Sequence, residues 1–509
     1  MNTPQNIKKL LLLGALTLLS SRLIAAPAGT PIADAAEKHD HSGLKSLLAK
    51  DADVNASQKD GMTALHWAAY NEDLEAADLL VKKGANVNAT NRYGIHPLSL
   101  ACASGNNELI ALLIKSGADV NATNRGGETV LMTAARTGKT GPVKALLEHG
   151  AKLDAKDRRG QTAMMWAAAD GHAGVVRVLL DAGADFQTPS SDFGFTPFFF
   201  AVREGRSEVV KLLLKAGINV NDVMQTKKVN GKSPRKGTSP LILAIENGHF
   251  ELAVALLDAG ADPNDERSGF TPLHTMTWVR KPPRGDGDDG DPPPIGSGNM
   301  SSIQFIEQLV KHGADVNLRL KNGKTGKAVL SEKGMTPFFM AASTDDLPFM
   351  KLLVKLGANP LINNDDDVTP LMAAAGVGVL APTEEGGTED DALEVIPYLL
   401  ELGVDINAVD KHGETAMHGA AYKEVPRVVA MLAARGAKID IWNQKDKYGW
   451  TPLRIAEGYR PGNFRPSFET IDAIHKVMLA AGVKLPVEEK TMTEKKVPYE
   501  EAKTKTASP

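Results

Sequence analysis

Histidine, cysteine and clustered carboxylates are the side chains that most often carry chemistry, and here their spacing argues against a reaction centre. The 509 residues include twelve histidines and a single cysteine. His66, His274 and His418 each stand three residues after a threonine, His172 and His249 follow a glycine, and His149 and His312 precede one. Such regularity is positional. The remaining histidines show no H-x-x-x-H pair, and with one thiol no zinc site built on paired cysteines is available. His412 and His418 flank Glu414, a pairing better explained by structure than by catalysis. Cys102 lies in the apolar run LACASG and reads as a small buried side chain. No G-x-S-x-G, no phosphate-binding G-x-x-x-x-G-K-[ST] and no G-x-G-x-x-G after a strand is present. The loop Arg284–Asp291 offers Asp286, Asp288, Asp289 and Asp291 to a calcium ion, but lacks the later glycine and distant glutamate of an EF-hand. Its Arg284-Gly285-Asp286 tripeptide is weak evidence in a loop rich in the same residues. The pattern predicts no catalytic residue, metal or cofactor.

The elements that must position these residues repeat. Gly61, Gly94, Gly127, Gly160 and Gly194 are spaced by 33, 33, 33 and 34 residues. Gly84, Gly117, Gly150, Gly183 and Gly217 keep the same phase. In the first of these units a Lys-Asp-Gly turn precedes Thr63, a residue suited to cap a helix N-terminus. Several copies place proline directly after that threonine, as in Thr196-Pro197, Thr271-Pro272 and Thr336-Pro337, where its missing N–H is harmless. A short helix with the small pair Ala68-Ala69 follows. A second helix carries Leu74, Ala77, Leu79 and Leu80 at helical spacing and ends at Gly84.

These residues resemble the ankyrin repeat, whose period is 33 residues and whose core is T-P-L-H. The full tetrad stands at Thr271-Pro272-Leu273-His274, with degenerate copies at Thr63–His66, Thr415–His418 and Ser239–Leu241. A G-A-D-V-N closing motif recurs at Gly117–Asn121 and Gly313–Asn317. The resemblance implies an all-α solenoid of about twelve repeats, with helix-turn-helix units and β-hairpin or loop fingers, running from Ile32 to Pro486. Residues 32–57 are expected to cap the N-terminus and 58–223 to hold five regular repeats. Residues 224–443 should hold five or so repeats with long insertions, 444–486 a C-terminal cap, and 487–509 a disordered tail. The insertions at 224–236 and 321–332 should lengthen fingers, whereas those at 280–300, 376–391 and within the last repeat should emerge on the opposite side.

The first 28 residues read as a secretory signal: Lys8 and Lys9, the apolar Leu10–Leu19, and the small-x-small run Ala26-Pro27-Ala28. The chain is therefore expected to be exported, periplasmic or secreted, with no membrane anchor after cleavage. A net charge of −4 gives no argument for nucleic acid. By resemblance, finger tips and the exposed side of each first helix line a concave groove that binds protein. Carried over by position, Arg92, Arg125, Arg136, Arg158, Arg159 and Arg203 gather around Tyr70, Tyr93, Phe193 and Phe195. Arginine and aromatic residues suit binding hot spots, and guanidinium favours carboxylates, so a protein partner with an acidic surface is expected, bound by a monomer. A glycan binder using Tyr459, Phe464 and Trp278, or an enzyme whose site is assembled from the inserts, are the rival readings.

Overall fold

Every threonine-capped turn in the sequence starts a helix in the computed structural model. The structure describes residues 30–190, 194–226, 235–281, 294–323, 329–379, 382, 387–459 and 465–485. The expected signal peptide, acidic loop 284–291 and C-terminal tail lie outside the described residues.

The chain divides into two compact units, Met1–Lys236 and Gly237–Pro509. The described helices of the first are α1 (Pro31–Glu37), α2 (His41–Ala49), α3 (Ala64–Tyr70), α4 (Leu74–Lys82), α5 (Pro97–Ser104), α6 (Asn107–Lys115), α7 (Val130–Ala135), α8 (Thr140–Glu148), α9 (Ala163–Asp170), α10 (Ala173–Asp181), α11 (Pro197–Arg203) and α12 (Ser207–Lys215). The odd-numbered helices pack in sequence as one layer, and from α4 onward the even-numbered ones form a second. In the second unit α13 (Pro240–Glu246), α15 (Pro272–Arg280), α17 (Pro337–Ser343), α19 (Pro370–Ala375), α21 (Ala416–Lys423) and α24 (Pro452–Ala456) form the first layer. Behind them lie α14 (Phe250–Asp258), α16 (Ser302–Lys311), α18 (Leu347–Lys355), α20 (Glu389–Glu401), α22 (Pro426–Ala434) and α25 (Phe468–Ala480). The described residues thus hold twelve helix pairs, matching the expected number of repeats. One further helix, α23 (Ile439–Trp442), stands between the eleventh pair and the finger that follows it, and buries Trp442.

Small side chains let the first layer pack closely. Ala68, Ala69, Ala101, Ala134, Ala135, Ala167 and Ala168 are all fully buried. Thr63, Thr129, Thr162, Thr196, Thr271, Thr336 and Thr369 accept from the backbone N–H three residues on, which satisfies an otherwise orphaned donor at each helix start. The fingers are turns, not strands: the isolated bridges recorded among the described residues are Ser57 with Thr63 and Thr123 with Thr129. Of the hairpin or loop fingers expected, several close within five residues, as when the Gln58 N–H donates to the Met62 carbonyl at 2.8 Å, whereas the finger holding the third insert closes from the Leu320 N–H to the Met335 carbonyl at 2.9 Å.

The asparagine that ends the closing motif is the rivet between repeats. Asn88 accepts from the Asp119 N–H at 2.8 Å and donates to the Gly117 carbonyl at 2.9 Å. Asn121 does the same with Lys152 (2.7 Å) and Gly150 (3.1 Å). Asn264, Asn317 and Asn407 repeat the device in the second unit. One amide satisfies a donor and an acceptor at once, which neither aspartate nor leucine could do.

The inserts do not simply splay outward. Residues 294–299 fold back on the preceding repeat, where the Ser297 N–H donates to His249 Nδ1 at 2.9 Å and the Asn299 N–H to Glu251 at 2.8 Å. The fourth insert reaches the third, since a Cβ at Gly378 would meet the Leu330 backbone nitrogen at 2.3 Å. Its expected confinement to the far side is corrected by that contact.

Candidate functional site

Finger register in the first unit is set by backbone hydrogen bonds. The Arg92 N–H donates to the Asp60 carbonyl at 2.8 Å, Arg125 to Tyr93 at 3.3 Å and Arg158 to Gly126 at 3.2 Å. Successive arginines therefore occupy equivalent places on successive fingers. Arg92, Arg125, Arg158 and Arg159 are exposed. Arg125, Arg158 and Arg159 make no side-chain ion pair among the described residues, whereas Arg92 donates to the Tyr93 hydroxyl at 2.6 Å. Its guanidinium carbon lies 4.8 Å from that ring's centre. Tyr70 and Tyr93 are exposed by 41% and 47%, unusual for large rings in this molecule.

Other expected members sit differently. Arg136 is largely buried, 3.5 Å from Glu128 and stacked 4.7 Å over Trp166. Arg203 pairs with Glu204 at 2.8 Å and covers Phe195 and Phe200 at 4.9 and 5.1 Å. Phe195 is only 4% exposed, so its expected place as an open aromatic is corrected: it occupies the apolar position before the capping threonine and is sealed by Arg203. Phe193 lies outside the described residues. Trp67 and Trp166, which the sequence did not mark as site residues, are both half-buried on the first helices. Trp67 donates to Gln58 at 2.8 Å, while the Trp166 Nε1–H has no partner. One further turn along a short helix is too small a displacement for periodicity to separate from burial.

The tetrad histidines join repeats. His274 Nδ1 lies 2.7 Å from the Thr271 hydroxyl, and its Nε2 is 3.1 Å from the Met335 carbonyl in the next finger. His66 makes the equivalent bonds to Thr63 and Ile95. Burial lowers the pKa of His274 and of His418 to about 4, so both rings are neutral at physiological pH. Cys102 is wholly buried, and burial raises its thiol pKa far above the usual range. Trp278 packs edge-on against Phe270 at 4.9 Å, and Tyr459 lies under Arg454 at 4.5 Å. Their separate ties give no shared stacking platform, and Phe464 lies outside the described residues.

In the second unit basic tip residues meet acidic neighbours. Arg319 and Lys333 reach Asp365 at 2.9 and 3.4 Å, and Lys411 reaches Asp367 at 3.6 Å. Together with Val329, Ser331 and Asn364 from the same fingers, and with His412 and Lys447, they line a cavity of about 710 Å³. His412, in that lining, stands with the buried Asp410 and Glu414, and the ligand-type atoms of the three lie within 4.8 Å of one another. His412 Nδ1 is 3.6 Å from Asp410 Oδ2 and 3.9 Å from Glu414 Oε2. His418 does not join them, being held by Thr415. Burial, then the charge of Asp410, pushes the Glu414 carboxyl up to about 7, and burial raises Asp410 and Asp446. A deeper network lies at the inter-helix turns: Arg280 clasps Asp346 at 2.8 Å, Lys281 holds Asp391 at 2.6 Å, and Lys423 meets Asp345 at 2.5 Å.

Known proteins share the repeat. The model described as ankyrin repeats in three copies matches residues 32–124, 98–190 and 131–224, and the single ankyrin repeat matches 236–267 and 333–365. Human neurogenic locus notch homolog protein 1 is 35% identical over 144 residues, 28% of this chain and 5% of that protein. Its Xenopus tropicalis counterpart is 33% identical over the same length and shares. The probable 26S proteasome regulatory subunit p28 of Saccharomyces cerevisiae is 30% identical over 132 residues, 25% of this chain and 51% of p28. The matches therefore span from one-twentieth to half of those relatives. With more than half of its residues matched by the family's models, and with the same capped helix pair recurring throughout its described residues, the chain belongs to the ankyrin-repeat family.

Proposed function

We propose that the chain is an exported, non-catalytic scaffold that binds an acidic segment of another protein along the fingers and first helices of its first unit. The repeats themselves imply a scaffold for protein–protein interaction. The observation that carries the finer reading is the row of Arg92, Arg125, Arg158 and Arg159 on fingers in backbone register. Unlike their counterparts Arg267 and Lys411 in the second unit, Arg125, Arg158 and Arg159 are not engaged with acidic neighbours among the described residues. Exposed guanidinium groups keep their charge at any physiological pH and present planar forks to carboxylates. Tyr70, Tyr93 and the edges of Trp67 and Trp166 add apolar area beside them, the mixture typical of hot spots. Lys8, Lys9 and the apolar run to Leu19 support export. Among the described residues no helix is long and apolar enough to cross a membrane.

Residues 29–509 serve as bait against the native envelope fraction and culture fluid, beside a variant with Arg92, Arg125, Arg158 and Arg159 changed to glutamate. A protein captured by the wild type and lost by the variant supports the reading. Equal capture by both refutes the arginine row, and recovery of an unprocessed chain from the cytoplasm refutes export.

A further inference from the structure

The finger that begins the eleventh repeat carries more buried negative charge than its repeat position requires. At the residue before the capping threonine, other fingers place Met62, Phe195, Met335 or Val368. The first unit has one acid there, Glu128, and answers it with Arg136 eight residues later. Glu414 is 3% exposed, and the residue eight positions on is Tyr422, which brings no positive charge. Four residues earlier the chain has Asp410, where Asn91, Asn124 and Asn364 stand in some fingers and aspartate in others, Asp446 and the less buried Asp157. Each of these side chains accepts two finger N–H groups through one oxygen; in Asp410 they come from His412 at 2.8 Å and Glu414 at 2.7 Å. An asparagine then has a neutral amide left over. Asp410 has a second charged oxygen, on a wholly buried side chain, with no hydrogen-bond partner. Asp446 Oδ2 in the next finger is likewise buried without a hydrogen-bond partner, and beside Glu414 stands the neutral hydroxyl of Tyr422. The nearby Lys447 ammonium lies 5.0 Å from the Tyr448 ring centre, and Lys411 is engaged with Asp367 and the Asp365 carbonyl. Buried charges without a counter-ion are costly, and this finger sets two beside an imidazole.

We infer that Asp410, His412 and Glu414 form a binding site for a divalent transition-metal ion of the zinc class. The alternation of the three residues along the finger places their side chains together, and Gly413, at φ +81°, closes the turn. Ligands about 2.1 Å from a tetrahedral zinc ion stand about 3.4 Å apart. The separations from His412 Nδ1, 3.6 Å to Asp410 Oδ2 and 3.9 Å to Glu414 Oε2, need only a small contraction. One imidazole with two carboxylates favours zinc and its transition-metal neighbours over calcium, which takes six to eight oxygens, and over magnesium, which retains its water. His412 also lines the cavity shared with Lys411 and Lys447, which supplies an entry path and room for a further ligand.

The test uses the full chain, stripped of metal and carrying no histidine tag, titrated with zinc chloride against a chromophoric chelator. One equivalent is expected to bind, with affinity reduced at least about tenfold in both His412→Ala and Glu414→Gln. Circular dichroism and the metal-free melting temperature establish that each variant is folded, and His475→Ala reports on surface binding unrelated to the finger. Zinc should raise the melting temperature of the wild type and of His475→Ala, but not of His412→Ala. Absence of binding, binding undiminished in both finger variants, or calcium binding in preference to zinc would each overturn the assignment.

Discussion

Replacing Lys423 with methionine removes the ammonium from one of the most deeply buried ion pairs in the second unit while keeping most of the side chain's volume. Lys423 and Asp345 have side chains 4% and 0% exposed, with Nζ 2.5 Å from Oδ2. Asp345 Oδ1 has no hydrogen-bond partner, and burial pushes this carboxyl up to about 6 even with the ammonium present. Lys281 cannot take over, because it is committed to Asp391 at 2.6 Å and approaches Asp345 only through its carbonyl. Breaking one partner of such a pair costs about 3–5 kcal/mol. The sign of the pH dependence follows from the raised pKa. Stability from the proton on Asp345 is complete below the unfolded value of 3.8 and is lost as pH rises through about 6. Without Lys423 the folded pKa rises further, so the loss continues to higher pH. The variant should therefore be close to the wild type near pH 5 and weaker by most of the 3–5 kcal/mol near pH 8. Urea unfolding at the two pH values, with amide exchange in α17 and α21, reads the effect where it arises. The double variant Lys423→Met with Asp345→Asn should recover to within about 1–2 kcal/mol of the wild type, since asparagine tolerates the φ of +52° at this turn. Equal destabilisation at both pH values, or no recovery in the double variant, would refute the buried-charge reasoning.

Three other outcomes are expected. Cys102 should resist a thiol reagent in the folded chain at neutral pH and react promptly in urea, because the sulfur is buried and its thiolate disfavoured; equal rates would refute its burial. Gly61→Ala should destabilise more than Gly84→Ala, measured by unfolding midpoint. Both glycines have positive φ, a cost of about 1–2 kcal/mol for alanine, but only at Gly61 does a new Cβ meet backbone, the Asn91 Cα at 2.9 Å. Asn121→Ala breaks the bonds to Lys152 and Gly150 and should cost about 1–2 kcal/mol, with faster amide exchange at Lys152, whose N–H loses its acceptor; unchanged exchange there would show that the rivet is dispensable.

The repeat architecture was legible in the chain because its signals are local. A threonine cap, a proline in the first turn and a left-handed glycine each act within a few residues, so counting them sufficed to place twelve helix pairs. The exposed arginines were legible for the same reason, as their place on a finger follows from the turn that holds them. The burial of Phe195 and the partial exposure of Trp166 were not. Each depends on which neighbour covers the ring, Arg203 in one case and Arg136 in the other, and a short first helix presents several faces at once.

Asp410 and Glu414 mark the same boundary more sharply. In the sequence Asp-Lys-His-Gly-Glu is one more finger, and its histidine matched no metal spacing because the ligands come from alternating positions on a turn rather than from one helix face. Only packing decides that both carboxylates are buried, and that the place from which Arg136 answers Glu128 holds Tyr422 here. The inserts behave alike: composition identifies them as loops, but the contact of Ser297 with His249 joins residues 48 apart. The amino-acid sequence alone determined the period, the caps and the helix pairs, because these arise from hydrogen bonds and backbone preferences within one repeat. The tertiary structure decided which charges are compensated, which rings face water and where the inserts settle, because those depend on partners brought together from different repeats.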